Sequence, residues 1–115
     1  MNILKAKKIL GNKIIGVTCH NSKKLAEIAE KNKADYLAIG SFFKSKTKKI
    51  KFRANYKLIK NLKKTFEIPI VAIGGINSEN YKKLLLHKPD FLAISGYIWN
   101  NKKLNPIEAL KLIKL

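Results

Sequence analysis

The side chains best suited to chemistry in this sequence stand just beyond short apolar runs. The fullest group is Gly40-Ser41-Phe42-Phe43-Lys44-Ser45-Lys46-Thr47-Lys48-Lys49, in which hydroxyls and ammonium groups alternate. Such a stretch suits an anion, because hydroxyls donate hydrogen bonds and lysines neutralise charge. The same composition also describes an ordinary basic surface loop. Two further groups are Gly74-Gly75-Ile76-Asn77 and Ser95-Gly96-Tyr97. Glycine lets backbone approach a ligand closely, and N–H groups free at a helix start attract phosphate. A tight turn is the plainer role of the same glycines. Thr18, Cys19 and His20 end another apolar run, where strand-end packing accounts equally well for Cys19 and His20. His87, on a helix, reads as a surface residue. One Cys and two His do not supply the roughly four ligands that zinc needs, so no metal site is expected from them.

Four apolar runs precede these groups: Ile14 to Thr18, Tyr36 to Gly40, Ile70 to Gly74 and Phe91 to Ser95. Each is β-branched and apolar on both faces, the pattern of parallel strands covered on both sides. DYLAIG, PIVAIGG and DFLAIS resemble one another, a weak internal repeat. Between the runs lie amphipathic stretches. An initial helix from about Ile3 to Leu10 stops at Gly11. Asn21 or Ser22 caps a helix that turns Leu25, Ile28 and Ala29 inward. Tyr56, Ile59, Leu62 and Phe66 share one face of the next. Asn77 or Ser78 caps a third, with Tyr81, Leu84 and Leu85 inward. Asn105-Pro106 opens the last, with Pro in its first turn and Ile107, Leu110 and Ile113 buried.

One helix followed by four βα units predicts an α/β fold with a parallel sheet and right-handed crossovers, in one domain over residues 1–115. Asp35 and Asp90 fall at strand starts. Thr18, Gly40, Gly74 and Ser95 fall at strand ends, where such sheets carry their chemistry. A sheet of four units leaves two open edges and an open face, on which Val17, Leu37 or Ala38, and Ile73 are expected.

The formal net charge is +18, from 24 Lys and the single Arg53 against seven carboxylates. Base-reading proteins favour Arg for its bidentate fork. Here the lysines spread along the whole chain with no basic arm, which argues against nucleic acid as the main partner. No apolar run approaches the ~18 residues of a membrane span. The N-terminus is too polar for a signal peptide. The lone Cys19 fits a reducing compartment, so a cytoplasmic setting is expected.

IIGVTCHN, DYLAIGSFFKSKTKK and PIVAIGGINSEN, in this order and spacing, resemble thiamine phosphate synthase and its TenI relatives. The family pattern is roughly G-x-S-x-H, then G-P-x-[FY]-P-T-x-T-K, then V-A-I-G-G-I, then a strand ending in V-S. The resemblance covers about residues 3 to 100 and implies a (β/α)8 barrel, of which this chain supplies the C-terminal half. It also implies a transferase of thiamine biosynthesis that joins a pyrimidinylmethyl diphosphate to a thiazole phosphate and releases pyrophosphate. By the same resemblance Thr18 contacts the pyrimidine. Ser45, Lys46 and Thr47 hold the thiazole phosphate, together with Gly75, Ile94 and Ser95. Lys48 meets the diphosphate and is the catalytic candidate.

Several departures matter. Thr18 adds a methyl to the family Ser, and Ser41 and Lys44 replace two prolines. His20 matches the family His, which a TenI-like thiazole tautomerase uses. The Ser45-Lys46-Thr47-Lys48 stretch favours the synthase branch over the tautomerase. A non-catalytic paralogue binding a phosphate ligand is the other alternative. The family also implies Mg2+, but its two Asp ligands, a Q-x-R-x-K cluster and an Asn belong to the first half and have no match here. A full barrel takes ~200 residues at least. The expected partners are therefore small phosphate substrates and either a second copy or a missing N-terminal half.

Overall fold

A computed structural model of the chain describes residues 2–44 and 54–115. The elements run in order α1 (Ile3–Leu10), β1 (Gly16–His20), α2 (Lys23–Lys31), β2 (Tyr36–Ile39), α3 (Tyr56–Thr65), β3 (Ile70–Ala72), α4 (Tyr81–Leu85), β4 (Phe91–Leu92), α5 (Gly96–Trp99) and α6 (Pro106–Lys111). All strand pairs are parallel and the sheet order is β1-β2-β3-β4. The fold is α/β, four parallel strands with alternating helices. No described helix is long and apolar enough to cross a membrane.

Capping starts the helices where the sequence suggests. Ser22 Oγ accepts from Leu25 N at 3.1 Å. Asn105 and Glu108 form a reciprocal capping box before Pro106. The third cap differs from expectation: Asn77 Oδ1 accepts from Glu79 N and Asn80 N in an Asx-type turn, and α4 begins only at Tyr81.

Two Asp residues register the strand starts. Asp35 Oδ2 accepts from Ile15 N at 2.7 Å, while Asp35 N donates to Ile15 O at 2.8 Å. Asp90 repeats this on Ile70, at 2.8 and 2.9 Å. Two residues before each Asp stands a left-handed lysine, Lys33 (φ 62°) and Lys88 (φ 55°). The weak sequence repeat is thus a geometric repeat of paired βα units.

The core lies between the sheet and α2, α3 and α4. Cys19, Leu37, Ile39, Ile70 and Ala72 face Ala26, Ala29, Ile59, Leu62, Tyr81 and Leu84 there. Register then fixes the opposite face. Thr18, Ala38, Val71 and Phe91 lie in one row across the four strands. That row is unevenly covered: Thr18 and Phe91 are exposed, Val71 is half-buried and the small Ala38 is buried.

Several expectations are corrected. The first strand is Gly16–His20, not Ile14 to Thr18, because Ile15 is engaged by Asp35 and a bulge between Thr18 and His20 carries the pairing on while Cys19 stays in the core. Thr18 therefore lies mid-strand on the open face. The other strands stop at Ile39, Ala72 and Leu92, before the glycines and Ser95. Val17 and Leu37 pair on the helix side, so Ala38 is the residue of that group on the open face. Leu25 and Ile28 are exposed; α2 turns Ala26 and Ala29 inward, and small side chains let the helix sit close to the sheet. On α6 only Ala109 is buried, while Ile107 and Leu110 stand in solvent beyond the last strand.

Candidate functional site

At the C-terminal ends of β2 and β3 the two following loops are laced together. Phe42 N donates to Ile73 O at 3.2 Å, and Phe43 N donates to Gly74 O at 3.1 Å. Gly74 and Gly75 both have left-handed φ, 101° and 65°. Their missing side chains have a second cause. A Cβ on Gly74 would overlap Ser41, and one on Gly75 would stand 2.7 Å from Phe43 O and 2.9 Å from Lys44 O. Glycine here admits a neighbouring loop, a role distinct from admitting a ligand on that side.

The Gly75 backbone is held from below. Asn80 Nδ2 donates to Gly75 O at 2.9 Å, and Asn80 Oδ1 accepts from Asn77 N at 2.8 Å. Fixing that carbonyl turns the Ile76 N–H to the other side of the trans peptide. The N–H groups of Gly74, Gly75 and Ile76 have no acceptor among the described residues. Asn80 is a positioning residue that sequence reasoning missed; an Asn three residues past a Gly-Gly-Ile-Asn turn is the signal that was there to find.

Ser95 stands on the neighbouring strand's extension. The last paired residues of β3 and β4 are Ala72 and Leu92. Gly75 and Ser95 are each three residues further on, so the two loops leave adjacent strands at the same level. Ser95 is exposed and makes no side-chain cap bond to α5. Ile94 turns its side chain to the core, which leaves only its backbone for a ligand. Ser45, Lys46, Thr47 and Lys48 lie outside the described residues. The chain enters that stretch beside Gly75, through Lys44, and leaves it where Ala54 N donates to Ser41 O at 2.8 Å.

An aromatic ladder borders the same loop. Phe42 stacks on Tyr56 (5.5 Å between ring centroids), and Tyr56 stacks on His87 at 4.8 Å. His87 is therefore half-buried between elements and not the free surface residue expected. Nothing in sequence spacing relates residues 56 and 87; only the fold brings them together.

At the end of β1, His20 is exposed with φ 52°, and its carbonyl accepts from Gly40 N at 3.3 Å. Asn21 Oδ1 accepts from Asn55 N at 2.8 Å, tying this loop to the start of α3. Thr18 lies below His20 on the open face, apart from the Gly75 and Ser95 level. Cys19 is buried, and burial pushes its thiol up to about 11.

The residues present do not fit a divalent cation. Among the described residues no three of His, Cys, Asp and Glu come together, and Asp35 and Asp90 are committed to strand starts at the opposite end of the sheet. Carboxylates for the Mg2+ that the resemblance implies are thus not supplied here.

A family model described as thiamine monophosphate synthase matches residues 1–98. The thiamine-phosphate synthase of Pelagibacter ubique is 60% identical over 114 residues, covering 99% of this chain and 55% of that protein. The thiamine-phosphate synthase of Rhodospirillum centenum is 41% identical over 97 residues, covering 84% and 47%. Among solved structures, thiamine phosphate pyrophosphorylase from Pyrococcus furiosus superposes with a TM-score of 0.80 at 32% identity, over 97% of this chain and 54% of that one. The chain thus spans about half the length of the relatives it matches.

Proposed function

Because the chain belongs to the thiamine monophosphate synthase family, we propose that it is the phosphate-holding half of a synthase site in a cytoplasmic thiamine pathway. Its substrate is a thiazole phosphate, to be coupled to a pyrimidinylmethyl diphosphate. In that reaction the methylene C–O bond breaks and pyrophosphate departs with the electron pair. The thiazole nitrogen then bonds to the pyrimidinylmethyl cation, forming thiamine phosphate.

The work divides among this chain's residues as the family resemblance implies. Ser45, Lys46 and Thr47 bind the thiazole phosphate. Gly75 and the Ile94-Ser95 backbone receive it from the β3 and β4 side. Lys48 neutralises the departing diphosphate, and Thr18 offers its hydroxyl to the pyrimidine from the open face. Holding the nucleophile beside the cation and stabilising the departing charge are the two requirements of the step. The cation's ligands come from outside this stretch of sequence, since its own carboxylates do not converge.

The lacing of Phe42 and Phe43 onto Ile73 and Gly74 carries the reading. It sets the Lys44 end of the basic stretch beside the N–H groups of Gly74, Gly75 and Ile76, which take no acceptor among the described residues. The test is calorimetric titration of the chain with thiazole phosphate. Ser95→Asp puts a carboxylate where the anion is to sit, at an exposed position with no side-chain cap bond. Binding weakened at least tenfold in a folded variant supports the site; unchanged affinity removes it. Gly75→Asp is a poorer probe, because its Cβ also strikes the Phe43 and Lys44 carbonyls.

A further inference from the structure

The end of α4 places one imidazole ring. The helix closes at Leu85, Lys88 turns left-handed (φ 55°), and His87 N and Lys88 N donate to Leu84 O and Leu85 O at 3.0 and 3.1 Å. His87 Nδ1 lies 3.1 Å from the Lys83 carbonyl, which can only accept, so the proton is assigned to Nδ1. A carbonyl one turn back thus holds the ring.

That ring stacks on Tyr56 with 4.8 Å between centroids and 11° between planes. Tyr56 opens α3, and it stacks in turn with Phe42 and leans on Phe43, at 5.5 and 6.4 Å. Phe42 N and Phe43 N are the donors that hold the Ile73 and Gly74 carbonyls. In a trans peptide the C=O and the next N–H share one plane and point in opposite directions. Holding Ile73 O therefore aims the Gly74 N–H, and holding Gly74 O aims the Gly75 N–H. Asn80 does the same for Ile76 through Gly75 O. Three successive N–H groups are thus set from behind, two of them by residues that Tyr56 packs against.

We propose that His87 and Tyr56 are positioning residues for the β3 loop. Their stack, running from α4 through α3 to Phe42 and Phe43, holds the Gly74 and Gly75 N–H groups in place for a phosphate monoester. The identity of that ligand rests on the family reading above. Both residues act through the β2 loop and not on the ligand.

The test pairs amide chemical shifts with calorimetric titration by thiazole phosphate. His87→Gln keeps a side-chain donor and removes the ring; His87→Phe keeps a ring and removes the donor. In His87→Gln the amide signals of Phe42, Phe43, Gly74 and Gly75 should move, while that of Leu37, bonded to Pro69 O within the sheet, stays. Affinity should weaken about threefold to tenfold, the worth of one aromatic pair, with the far-ultraviolet spectrum kept. His87→Phe should restore signals and affinity. Tyr56→Ala, which removes three ring contacts, should weaken binding further. Unchanged affinity in His87→Gln, no restoration by His87→Phe, or Leu37 displaced as far as the loop amides overturns the proposal. If the parent chain takes up no thiazole phosphate, the functional reading falls, while loop signals moved by His87→Gln and restored by His87→Phe still uphold the positioning role.

Discussion

Lys63 grips both carboxylate oxygens of Asp90, with Nζ 2.8 and 2.7 Å away, while the same carboxylate accepts the Ile70 N–H. One side chain thereby joins α3, the start of β3 and the start of β4. Partial burial pushes the Asp90 carboxyl up, but the Lys63 hydrogen bond, the Ile70 N–H and the Lys63 charge outweigh it. Its pKa therefore lies below the ordinary carboxylate value.

An Asp whose pKa is lower folded than unfolded binds fewer protons in the native state. Its contribution is complete above the unfolded value, ~3.9, and is lost as pH falls through the folded one. Asp90→Asn should flatten that acid limb, and Asp90→Ala should cost about 1–2 kcal/mol, chiefly through the orphaned Ile70 N–H. The ion pair is one-third exposed and adds less. Urea midpoints measured from neutral pH down to about 3 check both.

Lys33 and Lys88 occupy left-handed backbone that costs a side-chain-bearing residue ~1–2 kcal/mol. Glycine there gives back part of the gain through its freer unfolded chain, ~0.4–1 kcal/mol. Lys33→Gly and Lys88→Gly should each stabilise by about 0.5–1 kcal/mol and should add, since they precede β2 and β4, with β3 between them. Thermal and urea unfolding read the effect.

Cys19 should resist alkylation at pH 8 in the folded chain, being buried with its thiol pushed up to about 11. Reaction should follow unfolding and so report it. Between the ordinary thiol value and about 11 the unfolded state loses its proton first, so stability should fall as pH rises through that window. Cys19→Ala should remove this slope at the cost of a small cavity.

Gly75→Ala combines left-handed φ with carbonyls at 2.7 and 2.9 Å from the new Cβ, and should cost about 1–3 kcal/mol. Ser95→Asp should leave stability within ~0.5 kcal/mol and lose thiazole phosphate binding. The contrast separates a loop-packing glycine from a ligand-facing serine.

Much of this architecture was legible in the chain. Alternating β-branched runs and capped helices indicated a parallel sheet, and Asp35 and Asp90 announced its strand starts. Helix faces were less legible. Leu25 and Ile107 read as inward on hydrophobicity, but α2 approaches the sheet through alanines and α6 stands beyond the last strand, where α5 packs on its Ala109 side and leaves Ile107 exposed. The first strand's limits escaped because a bulge at Cys19 has no local signal. The Tyr56–His87 stack and the Asn80 hold on Gly75 are tertiary and Asx-turn geometry, which hydrophobic periodicity does not encode. Thr18 was placed at a strand end for the same reason as β1 itself; its hydroxyl in fact faces the open side of the sheet.

The coupling reaction tests the central claim most directly. Pyrimidinylmethyl diphosphate, thiazole phosphate and Mg2+ are incubated with the purified chain, alone and co-expressed with the unmatched part of the Pelagibacter ubique protein. The account predicts no thiamine phosphate from the chain alone, formation by the pair, and at least a hundredfold loss in the pair with Lys48→Ala. Turnover by the chain alone, or a pair indifferent to Lys48, would contradict it.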